Sequence, residues 1–303
     1  FNQATKQFDQ IPCVRMGEDA RSQQRNFVAG DQVFSIQQGR DGQIFFGTNE
    51  KLTIYDPRTG LFSNQYNEER IRKLPGKNYN HLHLDRHGNL WTGGLGPVYK
   101  ISSDLRLLAQ YVHQEDNPNT LPDEGVTGFA EDKQGYIWMA TDNGLARLDQ
   151  RTGTIKTFTT RDGLPCNDIA AVLVVDDTLW VSTSQGLACT HTQRVRFTAF
   201  DADDGVIPLE FESDAIVRDS TGRIYFGAGR GLVSVKPRAM RLNRVVPPLF
   251  LTSFRVKEQE FLLGQAANPP PIQLDYTQNG FTFDMAALNY DNPAGNQFAY
   301  RLE

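Results

Sequence analysis

His81 and His83 are the first residues in this 303-residue chain whose type and spacing could do chemistry: on a strand they point to one face, with His87 in the turn that follows. Zinc requires three or four ligands in tetrahedral reach, and no cysteine or acidic residue stands at a recognisable spacing from them. Together with Tyr79 they read as a polar entrance. FDADDG (200–205) offers Asp201, Asp203 and Asp204 to calcium, but counted from Asp201 its glycine comes fifth instead of sixth, and in the frame from Phe200 that puts the glycine sixth Phe211 stands where the bidentate glutamate belongs. It reads as an exposed link. GAGRG (227–231) lacks the last glycine of a GxGxxG loop and lies between two strand-like runs, which makes it a hairpin turn. Neither a metal nor a cofactor is expected.

Catalytic patterns are equally sparse. No GxSxG elbow and no SxDxGxTW box occurs, and carboxylate pairs for glycoside cleavage are defined by separation in space, not by spacing in sequence. Cys13, Cys166 and Cys189 form no CxxC pair. They read as buried or incidental thiols, with a Cys166–Cys189 disulfide as the remaining option. The tryptophans Trp91, Trp138 and Trp180 could stack on sugar rings, but their positions call for another explanation.

That explanation is a repeat. DGQIFFGTNEKLTIYD (41–56), HGNLWTGGLGPVYKIS (87–102), QGYIWMATDNGLARLD (134–149), DDTLWVSTSQGLACTH (176–191) and TGRIYFGAGRGLVSVK (221–236) are five copies of one unit. The aromatic after the aliphatic residue falls at Phe45, Trp91, Trp138, Trp180 and Tyr225, so the successive differences are 46, 47, 42 and 45. A period of about 40–50 belongs to propeller blades or helical arrays. Inside each copy Ile, Val, Phe, Trp, Tyr and Thr alternate with polar residues between Gly and Asn turns, which is strand and hairpin chemistry.

In the third copy, 126–132, YIWMAT, LARLD and TIKTFTT give four antiparallel strands, the count of a propeller blade. The five aromatics are then packing residues. The expected fold is all-β: five complete four-stranded blades plus part of another over 1–240, an excerpt of a seven-bladed propeller, followed over 241–303 by an incomplete β-sandwich.

Composition limits the partners. A net charge of −5, with lysines and arginines scattered, provides no footprint for a nucleic-acid backbone. The longest aliphatic run, IAAVLVV (169–175), falls well short of the roughly 20 residues a membrane-spanning helix needs. The opening FNQATKQFDQ has neither an initiator methionine nor an apolar targeting core, so a targeting signal is expected outside this sequence.

With connectors such as NTLPDEGVTGFAED and DGLPCNDIAAV, the repeats resemble the two-component regulator propeller repeats of bacterial hybrid two-component sensors, especially those of the Bacteroidetes. The segment IQLDYTQNGFTFDMAALNYDNPAGNQFAYRLE resembles the start of that family's tyrosine-triad domain, with Tyr276, Tyr290 and Tyr300 as its structural tyrosines. The resemblance implies a non-enzymatic, periplasmic sensor region of a histidine kinase. It would recognise an oligosaccharide, self-associate as a dimer, be tethered to the membrane through downstream sequence and regulate glycan-use genes. A propeller lyase resembling the streptogramin lyases, with His81 in its acid–base pair, and a protein-interaction platform are the alternatives.

In a propeller the loops beside the inner strands carry recognition. Aligning the blades on the aromatic places Val33, Tyr79, Val126, Ile169 and Ser213 near the inner-strand starts. The polar residues that vary there are Asp31, Lys77, Tyr79, His81, Glu124, Asn167, Asp168 and Glu212, the expected ligand-binding set.

Overall fold

The computed structural model describes residues 13–14, 27–30, 32–206, 210–237, 248–256, 259–261, 275–276 and 280–287. The chain divides into two compact units, Phe1–Arg238 and Ala239–Glu303. A short parallel pair, β1 (Cys13–Val14) and β2 (Val28–Ala29), precedes the blades.

Four blades have four antiparallel strands in sequence order. The first is β3 (Val33–Gln38), β4 (Ile44–Thr48), β5 (Leu52–Asp56) and β6 (Leu61–Ser63). The second is β7 (His81–Leu84), β8 (Leu90–Gly93), β9 (Val98–Ile101) and β10 (Leu107–Tyr111). The third is β11 (Gly128–Glu131), β12 (Tyr136–Thr141), β13 (Gly144–Asp149) and β14 (Ile155–Phe158). The fourth is β15 (Ile169–Val175), β16 (Thr178–Thr183), β17 (Gly186–His191) and β18 (Arg194–Phe200).

The fifth blade differs from the expected four strands. Its described residues form three, β19 (Phe211–Arg218), β20 (Ile224–Ala228) and β21 (Gly231–Val235), and the chain directly after Pro237 lies outside the described residues.

A helix absent from the sequence reading joins the first two blades. α1 (Glu69–Lys73) is a single turn whose N-cap Glu68 accepts from the Arg70 amide. Its fully buried Ile71 holds it against the blades.

The repeated aromatics form the packing between blades. Trp91 packs with Phe129, Ile137 and Met139 of the third blade, and Trp138 with Ile169, Leu179 and Val181 of the fourth. Trp180 lies 6.4 Å from the Phe226 ring of the fifth. Trp91 and Trp138 are fully buried, each removing roughly 150–250 Å² from water. Phe45 and Tyr225 are half-buried.

A turn aspartate six residues before the aromatic fixes three of these rings. Asp132 Oδ1 accepts from the amides of Gln134 and Tyr136, both at 3.0 Å, and its Oδ2 from Trp138 Nε1 at 2.9 Å. Asp85 holds His87, Asn89 and Trp91 in the same way, and Asp219 holds Thr221, Arg223 and the Tyr225 hydroxyl. In the first blade Gly39 occupies the position, and Phe45 has no polar hydrogen to satisfy.

The fourth blade breaks the pattern. Its β15–β16 turn has only Asp176 and Asp177 between the strands, where the third blade has four residues, so no aspartate reaches the ring. Trp180 Nε1 is buried without a partner. This shorter turn accounts for two of the five residues by which the interval of 42 between Trp138 and Trp180 falls short of the 47 before it.

The next turn residue links blade to blade. Arg40 donates to the Arg86 carbonyl; Arg86 donates to Glu131 Oε1 at 2.7 Å and to the Lys133 carbonyl at 2.8 Å; Lys133 Nζ donates to Asp177 at 2.9 Å.

In the second unit β22 (Leu249–Val256) pairs antiparallel with both β23 (Gln259–Phe261) and β24 (Phe281–Ala287). Phe254 stacks on Phe281 at 5.6 Å. Tyr276 is exposed, whereas Tyr290 and Tyr300 lie outside the described residues.

Candidate functional site

The inner strands β3, β7, β11, β15 and β19 bring one repeat position together. Opposite the residue two places after each aromatic stand Ser35, His81, Gly128 and Ala171 in the first four blades. In the fifth, Ala215 has its Cβ against Gly227. Four of the five side chains are small, and the fifth is an imidazole.

Asp214 comes from the fifth blade to meet His81. The His81 Nδ1–Asp214 Oδ2 distance is 3.8 Å, an ion pair when the ring is protonated, and His81 Nδ1 is buried with no hydrogen-bond partner. A register shift between Phe211 and Ile216 and a left-handed backbone at Asp214 (φ 57°) aim the carboxylate. Gly128 leaves the room: a Cβ there would sit 3.2 Å from Asp214 Oδ1. His83, also on β7, is half-buried with its Nε2 buried and unpartnered, and desolvation holds its pKa below the ordinary value against the pull of Glu131, Asp85 and Asp214.

The expected ligand-binding residues differ in burial. Asp31 lies outside the described residues. Lys77, Glu124, Asp168 and Glu212 are exposed around the inner-strand starts, with Lys77 Nζ 3.8 Å from Glu50. Asn167 is half-buried; its Oδ1 accepts from the Thr160 amide at 2.9 Å and its carbonyl from the Gly144 amide at 2.7 Å, so it closes a loop as well as bordering the entrance.

Tyr79 faces inward instead of outward. It is fully buried, stacks on Tyr99 at 5.7 Å and donates its hydroxyl to the Pro75 carbonyl at 2.5 Å. Burial pushes its pKa well above the usual phenol range. Sequence reasoning missed Asp214 and also Asp142, whose pKa is raised by burial and by the neighbouring carboxylates Asp168 and Asp123. Asp142 directly precedes the Asn143–Gly144 turn, where only its part in a hairpin was evident.

Among the described residues no group of three or more His, Cys, Asp or Glu is arranged to hold a metal ion, and no helix is long and apolar enough to cross a membrane. Cys166 and Cys189 are free thiols.

Residues 120–143, the connector, inner strand and aromatic strand of the third blade, match the two-component regulator propeller family. That stretch of the third blade is thus similar to a two-component regulator propeller repeat. A histidine kinase of Formosa agariphila is 31% identical over 150 residues, which are 46% of this chain and 11% of the kinase. The solved structure described as the extracellular domain of a hybrid two-component system from B. thetaiotaomicron matches 86% of this chain with a TM-score of 0.63 at 22% identity, and the match covers 36% of that domain. The likeness shows the fold alone. The chain therefore spans a small part of the kinase and about a third of the solved domain.

Proposed function

We propose that this segment is the extracytoplasmic, ligand-sensing part of a hybrid two-component sensor kinase, and that it recognises an oligosaccharide at the inner-strand entrance without transforming it. The observation that carries this reading is the contrast between a rigid repeated frame and unlike polar residues on it. Lys77, Glu124, Asn167, Asp168 and Glu212 differ from blade to blade, while the turns and aromatics beneath them recur. An asymmetric ligand requires such a surface. The regulator propeller match and the kinase relative support the sensor role.

Signalling then requires that the ligand bind one arrangement of the sensor better than another. In the intact protein the segment self-associates as a dimer, and its output is transcription of glycan-use genes. A thermal-shift screen of oligosaccharides tests the reading. Ligand at 100 times Kd adds about 2.7 kcal/mol of apparent stability, and for a domain of this size that raises Tm by roughly 5–11 °C. Absence of any shift, or of any change in oligomer, across the screen refutes it.

One observation favours a second reading, a propeller lyase: His81 and Asp214 form the kind of pair an acid–base step would use. Turnover of a candidate substrate, abolished by His81→Ala, would establish it.

A further inference from the structure

We propose that the cavity between the first and second blades, at the β3–β4 and β7–β8 turns, binds a small uncharged polyhydroxyl compound of mono- to disaccharide size. It lies at the opposite end of the inner strands from the entrance, because Gln37, Gln38 and the turn after them end β3 where Val33 begins it. The proposal goes beyond the entrance reading and stands independently of it.

The cavity has a volume of about 560 Å³, within the roughly 300–1,000 Å³ of small-molecule sites. Its walls combine the amides of Gln37, Gln38 and Gln43 and the hydroxyl of Ser103 with the apolar surfaces of Phe45 and Leu90. Amides and hydroxyls both donate and accept, matching a ligand whose hydroxyls do the same. An aromatic ring and a leucine suit the C–H faces between those hydroxyls.

The fixed charges of the wall are satisfied within the protein. Arg86 is held by Glu131 and by the Lys133 and Asp132 carbonyls. Asp85 accepts from Trp91, Asn89 and two backbone amides. Arg40, which donates to the Arg86 carbonyl, and Asp41, which accepts from the Gln43 amide, are adjacent and opposite in sign, so together they present no net charge to a ligand. A neutral ligand displaces no ion pair here.

His83 adds an imidazole to the wall, and its Nε2 is buried with no hydrogen-bond partner in the protein.

Saturation-transfer NMR on the whole chain with glucose, galactose, mannose, xylose, maltose and lactose tests the site. Ser103 is exposed in a turn, so Ser103→Trp fills the cavity mouth without entering a core. Gln38→Ala, at an exposed strand position, is the second variant, and Arg194→Ala, exposed on β18 and in neither the cavity nor the entrance, is the control. The expected result is binding of at least one sugar, weakened about tenfold or more by Ser103→Trp, weakened by Gln38→Ala and unchanged by Arg194→Ala. Binding that survives both cavity variants unchanged overturns the proposal, as does failure of every sugar to bind the wild type.

Discussion

Replacing Asp132 by alanine removes the acceptor for three donors at once: the amides of Gln134 and Tyr136 and Nε1 of Trp138. Trp138 is fully buried, so its N–H has no route to water, and an orphaned buried donor costs about 1–3 kcal/mol. The two amides lie in a turn at the surface and lose about 1 kcal/mol each. The sum, about 3–5 kcal/mol, lowers Tm by roughly 6–20 °C for a unit of this size. The fourth blade supplies the internal control. Trp138→Phe strands Asp132 Oδ2, whereas Trp180→Phe removes a donor that has no partner to begin with. Both lose similar apolar area, so the third-blade variant should be the less stable by at least about 2 kcal/mol. Urea denaturation of all three variants measures this. An Asp132→Ala change of less than about 1 kcal/mol, or two tryptophan variants of equal stability, would show that the aspartate lock contributes nothing.

Three further outcomes follow from the same geometry. Gly186 has φ 144° and a Cβ built there would meet the Phe200 carbonyl at 2.4 Å, whereas Gly60 has φ 70° and open space. Gly186→Ala should therefore cost about 3 kcal/mol or more by denaturation and Gly60→Ala about 1 kcal/mol. Asp142 has its pKa raised from 3.8, by burial first and then by Asp168 and Asp123, so its protonated form stabilises the fold below that value and the contribution is lost as pH rises through the higher folded pKa. Asp142→Asn should accordingly raise Tm at pH 7 and leave it unchanged at pH 3, and an equal effect at both refutes the assignment. Burial pushes the Cys189 thiol up to about 11, so at pH 8 a thiol reagent should label Cys166 in the folded protein and Cys189 only after unfolding.

The blades were legible because their signal is periodic and local: an aliphatic–aromatic pair recurs between turns, and each turn demands residues that tolerate positive φ. The aspartate lock was equally present in the sequence, six residues before Trp91, Trp138 and Tyr225, but it is recognised only once the turn folds the carboxylate back onto the ring. α1 escaped because a single turn is too short to show a helical period and depends on burying Ile71. Tyr79 illustrates the limit of alignment by offset. It precedes β7, and the loop turns its ring into the blade against Tyr99, where a position count cannot distinguish inward from outward. Asp214 was unreadable for a different reason: its reach to His81 follows from a backbone irregularity within a strand and from the missing side chain of Gly128, a third blade away in sequence.

That His81 is the one large side chain among serine, glycine and two alanines has a consequence for symmetry. Five equivalent positions around an axis would offer a ligand interchangeable footings, and its bound orientation would be degenerate. A single imidazole facing a single carboxylate removes the degeneracy and gives the axis a direction across it. Among the described blades these two side chains therefore mark one rotational position as unlike the other four.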